Sequence, residues 1–142
     1  MRKIVLFLVM STVIVTLIYS CQDAEQLEYQ TYYSNGQTLY QTYCQNCHGE
    51  KGEGLGLLTP PLTDSLFLKN NRTVLACIIK NGATTPVTVH GKTYEEKMPA
   101  FPKLADIDIA QIIVYVTNSF GNKMGMYPYA DINKDLKSCA TR

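Results

Sequence analysis

A stretch of five residues constrains this chain more than any other part of it: Cys44-Gln45-Asn46-Cys47-His48. The two cysteines stand at positions i and i+3, about one helical turn apart, and a histidine follows directly. Thiols at this spacing can each add to one vinyl group of a haem, and the imidazole then falls under the iron as its proximal ligand. The motif predicts that Cys44 and Cys47 attach one haem c covalently and that His48 binds its iron.

Two other kinds of site also use a Cys-x-x-Cys pair. A closed structural zinc site needs four protein ligands, but His90 is the only other histidine, and the remaining cysteines form no second close pair. A thioredoxin-like dithiol belongs to a βαβ unit, whereas the sequence before Cys44 is typical of a helix. Haem attachment is therefore the preferred interpretation, and zinc binding and dithiol chemistry are the alternatives.

The N-terminus has the pattern of an export signal. Arg2 and Lys3 make it positively charged, and residues 4–19 form an almost unbroken apolar run. The run is shorter than the roughly 20 residues of a membrane-spanning helix, so it predicts a signal peptide. Without Arg2 and Lys3 the formal charge changes from +1 to −1, with 11 basic and 12 acidic residues. This balance lacks the basic excess of a nucleic-acid-binding protein.

Residues 17–21 read LIYSC and resemble the lipobox of bacterial lipoproteins, although Tyr19 replaces the usual small residue. The resemblance implies that residues 1–20 are a lipoprotein signal peptide and that Cys21 is lipidated. An uncleaved signal anchor is the alternative. Both interpretations place the domain outside the cytoplasm, on the periplasmic side or outer surface of a bacterial membrane, where covalent haem attachment is also completed.

The region before the haem motif is polar, with scattered tyrosines and no clean period, which predicts a flexible tether over residues 21–33. Ser34 and Gln37 match a capping box, so we expect the first helix of the domain to begin at Ser34. The folded domain is expected over residues 34–122, and a C-terminal extension over residues 123–142.

Further along the chain, residues 64–69 predict a short helical turn, and an apolar stripe between Asn71 and Gly82 predicts a helix capped by Asn71. Residues 87–94, interrupted by His90-Gly91, predict a small β-hairpin. His90 is expected at the exposed turn and not on the iron.

The strongest helical pattern covers residues 106–119, where isoleucines and a valine recur at i, i+3, i+4 and i+7. Asp106 is its expected N-cap, and Gly121-Asn122 its expected end. A short helix is expected over residues 131–137.

With these elements in place, residues 34–122 resemble the class I cytochromes c. The resemblance rests on the Cys44–His48 motif, on Gly36 and Tyr40 before it, and on Met98-Pro99 before the last helix. It implies an all-α fold in which three or more helices surround one covalently bound haem, here with a small β-hairpin. It also implies that Tyr115 of the last helix crosses near Gly36 of the first.

The resemblance further implies roles for Pro60 and Met98. Pro60, twelve residues after His48, corresponds to the proline whose carbonyl accepts a hydrogen bond from the imidazole. Met98 corresponds to the distal methionine, a soft neutral ligand that raises the reduction potential. A simple turn is the alternative role for Pro60.

Two further expectations concern residues outside this ligand set. Arg72 stands where some relatives place an arginine on a haem propionate, although a solvated arginine is the alternative. Met10, Met124 and Met126 compete with Met98 as iron ligands, but they lie in the leader or past the last helix.

Cys77 and Cys139 remain after the other cysteines are assigned to haem and lipid. An even remainder in an oxidising compartment predicts a disulfide between them. Cys77 lies in an apolar stripe, so a buried free thiol is the alternative.

The resemblance implies one-electron transfer by Fe(II)/Fe(III) cycling between a donor and an acceptor of a respiratory chain. With His48 and Met98 both bound, the iron has no open position, so we expect an electron carrier and not an enzyme. Two alternatives are a haem subunit of a larger oxidoreductase complex and, if Met98 is not bound, a haem that binds ligands or reacts with peroxide.

Overall fold

The structure, a computed structural model, describes residues 2–84 and 86–139, without the side chains of residues 17–23. The side chain of Cys21, predicted to be lipidated, therefore lies outside the described residues. The described elements are α1 (Arg2–Tyr43), α2 (Gln45–His48), α3 (Ser65–Asn70), α4 (Leu75–Asn81), β1 (Val87–Val89), β2 (Lys92–Tyr94), α5 (Asp106–Val116) and α6 (Tyr129–Cys139). A 3-10 turn, Arg72–Val74, leads directly into α4. This mostly helical architecture with one small hairpin confirms the predicted fold class.

The chain divides into two compact units, Met1–Thr31 and Tyr32–Arg142. In the first unit, α1 carries large apolar side chains between Ile4 and Val15 that are 45 to 70% exposed. Within the part of the chain that the structure describes, no helix combines the length and hydropathy of a membrane span.

Helix α1 begins well before Ser34, the residue at which the sequence predicted the first helix of the domain to start. Residues 22–33, expected to be irregular, are helical, and Ser34 lies inside α1, so the predicted start at Ser34 is wrong. Contacts within the second unit explain why the residues just before Ser34 are helical. Tyr32 is buried, and the Tyr33 hydroxyl lies 2.9 Å from the Ser119 hydroxyl. Such tertiary contacts override a weak local pattern.

The second unit is built around the crossing of α1 and α5. A Cβ at Gly36 would overlap the backbone carbonyl of Gln111 and lie 2.8 Å from the Cβ of Tyr115. The missing side chain at Gly36 thus lets the two helices touch, at the crossing that the resemblance implied. The Tyr115 ring packs on Tyr33 and Tyr40, with centroid separations of 5.2 and 5.3 Å.

Helix α5 forms the centre of the core, and seven of its eleven residues are buried. Its N-cap is Ala105 and not Asp106, because Asp108 accepts a hydrogen bond from the Ala105 N–H at 3.2 Å and satisfies the helix start. The helix ends at Val116, before the predicted end. The Thr117 hydroxyl bonds back to the Ile113 carbonyl at 2.7 Å there.

The middle of the chain forms two short helices, as predicted, but the second one begins later than predicted. Asp64 caps α3 by accepting hydrogen bonds from the N–H groups of Leu66 and Phe67, both at 3.0 Å. Asn71 does not cap the next helix with its side chain, because its amide donates instead to the Phe67 carbonyl at 2.8 Å and closes α3. The following residues form the 3-10 turn, and α4 begins only at Leu75.

The hairpin and the tail complete the unit. Strands β1 and β2 pair antiparallel, with Val87 opposite Tyr94. His90 and Gly91 form the turn with φ values of 50° and 72°, as a type I′ turn requires. In the tail, α6 is longer than predicted and packs on α4 and α5. A disulfide joins Cys77 on α4 to Cys139 on α6, with the two Cα atoms 5.5 Å apart.

Candidate functional site

The Cys44–His48 motif forms a single tight turn at the end of α1. The Cys44 carbonyl accepts hydrogen bonds from the N–H groups of Cys47 and His48, at 3.2 and 2.9 Å. This turn brings both thiols and the imidazole to the border of one cavity of about 280 Å³. The predicted grouping of Cys44, Cys47 and His48 is therefore present in the fold.

Two helices supply apolar walls to this cavity. Helix α4 contributes Leu75, Ile78 and Ile79, and helix α5 contributes Ile112, Ile113 and Val116. The α5 side chains are also part of the buried core. A cavity with such walls favours a large flat apolar group over water.

His48 is held in one tautomer by the loop that follows it. Its side chain is buried, and Nδ1 lies 3.1 Å from the Pro60 carbonyl oxygen. Because a carbonyl only accepts, the proton of the neutral ring must lie on Nδ1, which leaves the lone pair on Nε2 free to bind a metal. Burial lowers the pKa of His48 and outweighs the opposing effect of the hydrogen bond to Pro60.

The loop that presents Pro60 depends on a glycine in a left-handed conformation. Gly54 has a φ of 74°, and a Cβ there would overlap the Thr59 carbonyl oxygen and lie 2.9 Å from the carbonyl carbon of Pro60. The Gly54 N–H also donates to the His48 carbonyl at 2.8 Å. The glycine run thus folds the loop back on the motif and brings Pro60 to the imidazole.

Met98 lines the same cavity and is held there by its backbone. Its N–H and carbonyl form two hydrogen bonds with Ala83, both 3.0 Å long. Three residues later, the Phe101 N–H donates to the Ile79 carbonyl at 3.1 Å. Among the described methionines of the second unit, Met98 alone lines the cavity, so Met124 and Met126 are not placed to compete with it.

The two motif thiols differ in environment. Cys44 is buried, and burial, followed by the nearby Cys47, raises the pKa of its thiol to about 11. Cys47 is exposed at the edge of the cavity. Neither forms a disulfide, so both sulfurs are available for thioether bonds.

The structure does not bring Arg72 to the cavity, contrary to the expectation of a propionate contact. Its guanidinium lies 4.1 Å from the centroid of the Tyr127 ring and donates to the Met126 carbonyl at 2.9 Å. The guanidinium of Arg72 is therefore bound by residues of the C-terminal extension. The sequence contained no signal that the extension returns to this point.

His90 lies away from the cavity, as predicted. Its side chain is 61% exposed at the hairpin turn, with Nδ1 3.6 Å from an Asp64 carboxylate oxygen. Within the described ranges, no three His, Cys, Asp or Glu side chains converge as metal ligands.

Sequence reasoning missed two residues that shape the cavity. Tyr94 at the end of β2 lines it and is 4% exposed, and its hydroxyl makes no hydrogen bond to any described residue. Asn122, expected only to end a helix, is buried and donates to the Leu62 and Val116 carbonyls at 2.8 and 2.9 Å. It thereby ties the cavity loop to α5. The position of Tyr94 at the end of a predicted strand was the only sequence feature that could have pointed to it as a cavity-lining residue.

Two thiols, a neutral imidazole and a thioether therefore border one cavity with apolar walls. This donor set fits a haem that is attached through Cys44 and Cys47 and ligated by His48 and Met98. The polar side chains that border the same cavity include Thr59, Tyr94, Glu96 and Lys97.

The chain also matches a known protein family. The model of the family described as "Cytochrome C oxidase, cbb3-type, subunit III" matches residues 32–116. The matched range contains the Cys44–His48 motif, Pro60 and Met98.

Individual relatives are more distant. Two proteins from Thermus thermophilus, both named cytochrome c-552, are 26% identical to this chain over 93 residues. These matches cover 63% of this chain, and 70% and 62% of the two relatives. The dehydrogenase subunit of an alcohol dehydrogenase (quinone) from Acetobacter aceti is 67% identical over 24 residues, which are 17% of this chain and 3% of that subunit.

Proposed function

This chain belongs to the cytochrome c family described as "Cytochrome C oxidase, cbb3-type, subunit III", and on this premise we propose that it is a membrane-tethered, extracytoplasmic carrier of single electrons. The observation that carries the proposal is the position of Met98. It is the described methionine that lines the cavity bordered by Cys44, Cys47 and His48. A cytochrome whose two axial positions are both filled transfers electrons and leaves no site for a substrate.

A haem c bound in this cavity supplies a one-electron Fe(II)/Fe(III) couple. Cys44 and Cys47 would hold it through thioether bonds, and His48 and Met98 would bind its iron. The bond from Nδ1 to Pro60 keeps the imidazole oriented and more basic as a ligand. The apolar walls from α4 and α5, of which the α5 side chains are buried, disfavour water and, together with the methionine, favour the ferrous state.

One edge of the cavity is open for electron exchange. Cys47 is exposed there, and Leu58, which also lines the cavity, is 55% exposed. We place electron entry and exit at this edge, where a partner protein comes nearest to the cofactor. The near-neutral formal charge does not demand a strongly charged partner.

Tyr94 and Lys97 take the role that the resemblance gave to Arg72. Both line the cavity, and the Tyr94 hydroxyl has no hydrogen-bond partner among the described residues. A phenol and an ammonium are suitable donors for the acidic propionate groups of a haem. Glu96 lines the same region, so the site contains both signs of charge.

The location follows from the leader. Residues 1–20 act as a lipoprotein signal peptide, and lipidated Cys21 holds the domain at the bacterial cell envelope. The donor and the acceptor are redox proteins of a respiratory chain that reach the same membrane face. Proteins of the cytochrome c type are generally extracytoplasmic, which supports this assignment.

A haem subunit of a larger oxidoreductase is the second candidate function. The description of the family names an oxidase subunit, and the short match lies in a dehydrogenase subunit. Gentle solubilisation of native membranes separates the two candidates. A freely migrating haem protein supports the carrier, whereas stable co-migration with an oxidase or a dehydrogenase supports the subunit.

The test of the site is an optical spectrum of the haem-loaded protein, oxidised and reduced, beside Met98→Ala and the control Met126→Ala. We expect low-spin wild type and control, and a Met98→Ala variant without the methionine–iron band and with a lower potential. A high-spin wild type, or an unchanged Met98→Ala spectrum, would overturn Met98 ligation and favour a ligand-binding or peroxide-reacting haem.

A further inference from the structure

The C-terminal extension is covalently joined to a wall of the cavity. Cys77 of α4 is bonded to Cys139 of α6. Leu75, Ile78 and Ile79 of the same short helix line the cavity. Residues at i, i+3 and i+4 share one face of a helix, whereas the second residue after Leu75 points to a different face. One face of α4 thus meets the cavity while another is fixed to α6.

The end of α4 also holds the segment that carries Met98. Met98 and Ala83 exchange two backbone hydrogen bonds of 3.0 Å, and the Phe101 N–H donates to the Ile79 carbonyl at 3.1 Å. These three bonds align the methionine segment along the last turn of α4 and the second residue after the helix. A shift of α4 must therefore move Met98.

Helix α4 has only seven residues, which is too short for a helix to be stable without tertiary contacts. The extension supplies several of these contacts. It packs on α4 through α6 and on the preceding 3-10 turn through Arg72, whose guanidinium lies over Tyr127. Tyr127 in turn donates a hydrogen bond to Asp135 of α6.

From this arrangement we infer that the C-terminal extension is a brace that positions Met98, and that the Cys77–Cys139 disulfide is its principal fastening. This inference rests on the proposed function, because it concerns the sixth ligand of the haem. Cys77 and Cys139 act as positioning residues: they do not touch the cofactor, but act through α4 and Ala83. Loss of the disulfide lets α4 shift and makes the bond between Met98 and the iron open more often.

The first experiment measures amide hydrogen exchange on the haem-loaded full chain and on the variant Cys77→Ala/Cys139→Ala. We expect the amides of Ala83, Met98 and Phe101 to exchange roughly tenfold faster in the variant. The amides of Cys44 and Gly54 serve as internal controls, because they belong to the part of the cavity wall that carries His48. The Cys44 N–H donates to the Tyr40 carbonyl, and the Gly54 N–H donates to the His48 carbonyl. Their exchange is expected to change much less.

Two results overturn the brace. Unchanged exchange on the Met98 side shows that the disulfide does not fix this segment. An equal increase on both sides shows that the disulfide only adds to global stability. Should the double variant fold poorly, the same amides are followed in wild-type protein after reduction of the disulfide, against intact protein in the same iron state.

The second experiment measures the rate of cyanide binding to the ferric protein, which requires Met98 to leave the iron. We expect about tenfold faster binding without the disulfide, and little change in Lys134→Ala, an exposed position of α6 that leaves the covalent link intact. Equal rates with and without the disulfide overturn the inference. If Met98 proves not to be a ligand, the amide exchange experiment still tests the brace, because it does not depend on the iron. Failure of the proposed Met98 ligation is therefore distinguishable from failure of the brace.

Discussion

Gly82 lies directly against the backbone of Met98: a Cβ at Gly82 would come within 2.6 Å of the Met98 carbonyl oxygen and 3.0 Å of the Ala100 nitrogen. Gly82 ends α4 with a φ of 77°. The absence of a side chain thus permits both the left-handed turn and the close approach of the methionine segment.

We predict that Gly82→Ala destabilises the protein more than Gly91→Ala does. Both glycines have a positive φ, and Gly82 also has a ψ of 179°, a backbone conformation that costs a substituted residue about 1–3 kcal/mol. A Cβ at Gly91 would meet nothing within 4 Å, so only Gly82→Ala adds a crowding cost, about 1–3 kcal/mol. Urea unfolding of both variants measures the difference, and equal losses would show that the approach of Met98 is not tight.

The crossing of α1 and α5 gives a second prediction. Alanine in place of a helical glycine normally stabilises by about 1 kcal/mol, but at Gly36 the new Cβ would overlap the Gln111 carbonyl. We expect the overlap to prevail, with Gly36→Ala lowering the free energy of unfolding by about 2 kcal/mol. Gln37→Ala, on the exposed side of the same turn, is the matched control and should be close to neutral. A stabilised Gly36→Ala variant would contradict the close crossing.

Asp64 makes stability depend on pH. The N–H of Phe67, which donates to its carboxylate, lowers the pKa of Asp64 in the folded protein, and the nearby His90 acts in the same direction. This contribution is fully present above the unfolded pKa of about 3.9 and is lost as the pH falls through the lower folded value. We expect the stability advantage of wild type over Asp64→Asn to shrink between about pH 5 and pH 3. Chemical unfolding at several pH values measures it, and a constant difference would contradict the prediction.

Tyr94 gives a prediction on the reduction potential. If its hydroxyl donates to a haem propionate, Tyr94→Phe leaves that negative charge less compensated and stabilises the ferric state. We expect the midpoint potential to fall by about 20–60 mV, where 59 mV is a tenfold change in a one-electron couple. Redox titration followed by absorbance measures the shift, and Tyr129→Phe, on α6 outside the cavity lining, is the control. An unchanged potential in Tyr94→Phe would remove it from the propionate site.

Short sequence patterns were sufficient to predict several structural features of this chain. The hairpin was predicted from the break at His90-Gly91, and the last helix of the domain from the spacing of its isoleucines. These signals succeed because turn chemistry and helical periodicity act over a few residues. The grouping of Cys44, Cys47 and His48 follows in the same way, since one helical turn brings them together.

Tertiary contacts decided what local signals could not. Ser34 matches a capping box, yet it lies inside α1, because Tyr32 and Tyr33 find partners in the second unit and extend the helix. Arg72 was a candidate for a propionate contact, with a solvated arginine as the alternative, yet it pairs with Tyr127, which follows it by 55 positions in the sequence. No short-range pattern contains such contacts.

The order of the residues alone indicates the chemistry that this chain can carry: two thiols, an imidazole and a thioether, in an order typical of c-type haem attachment. Those properties reside in the side chains and in one helical turn, so they need no knowledge of the rest of the fold. The packing of the folded chain determines that Ala83 holds Met98 at the cavity, that Tyr94 lines it, and that the tail is bonded to α4. These relationships join distant parts of the chain, and they form because burying apolar surface brings α4, α5 and α6 together.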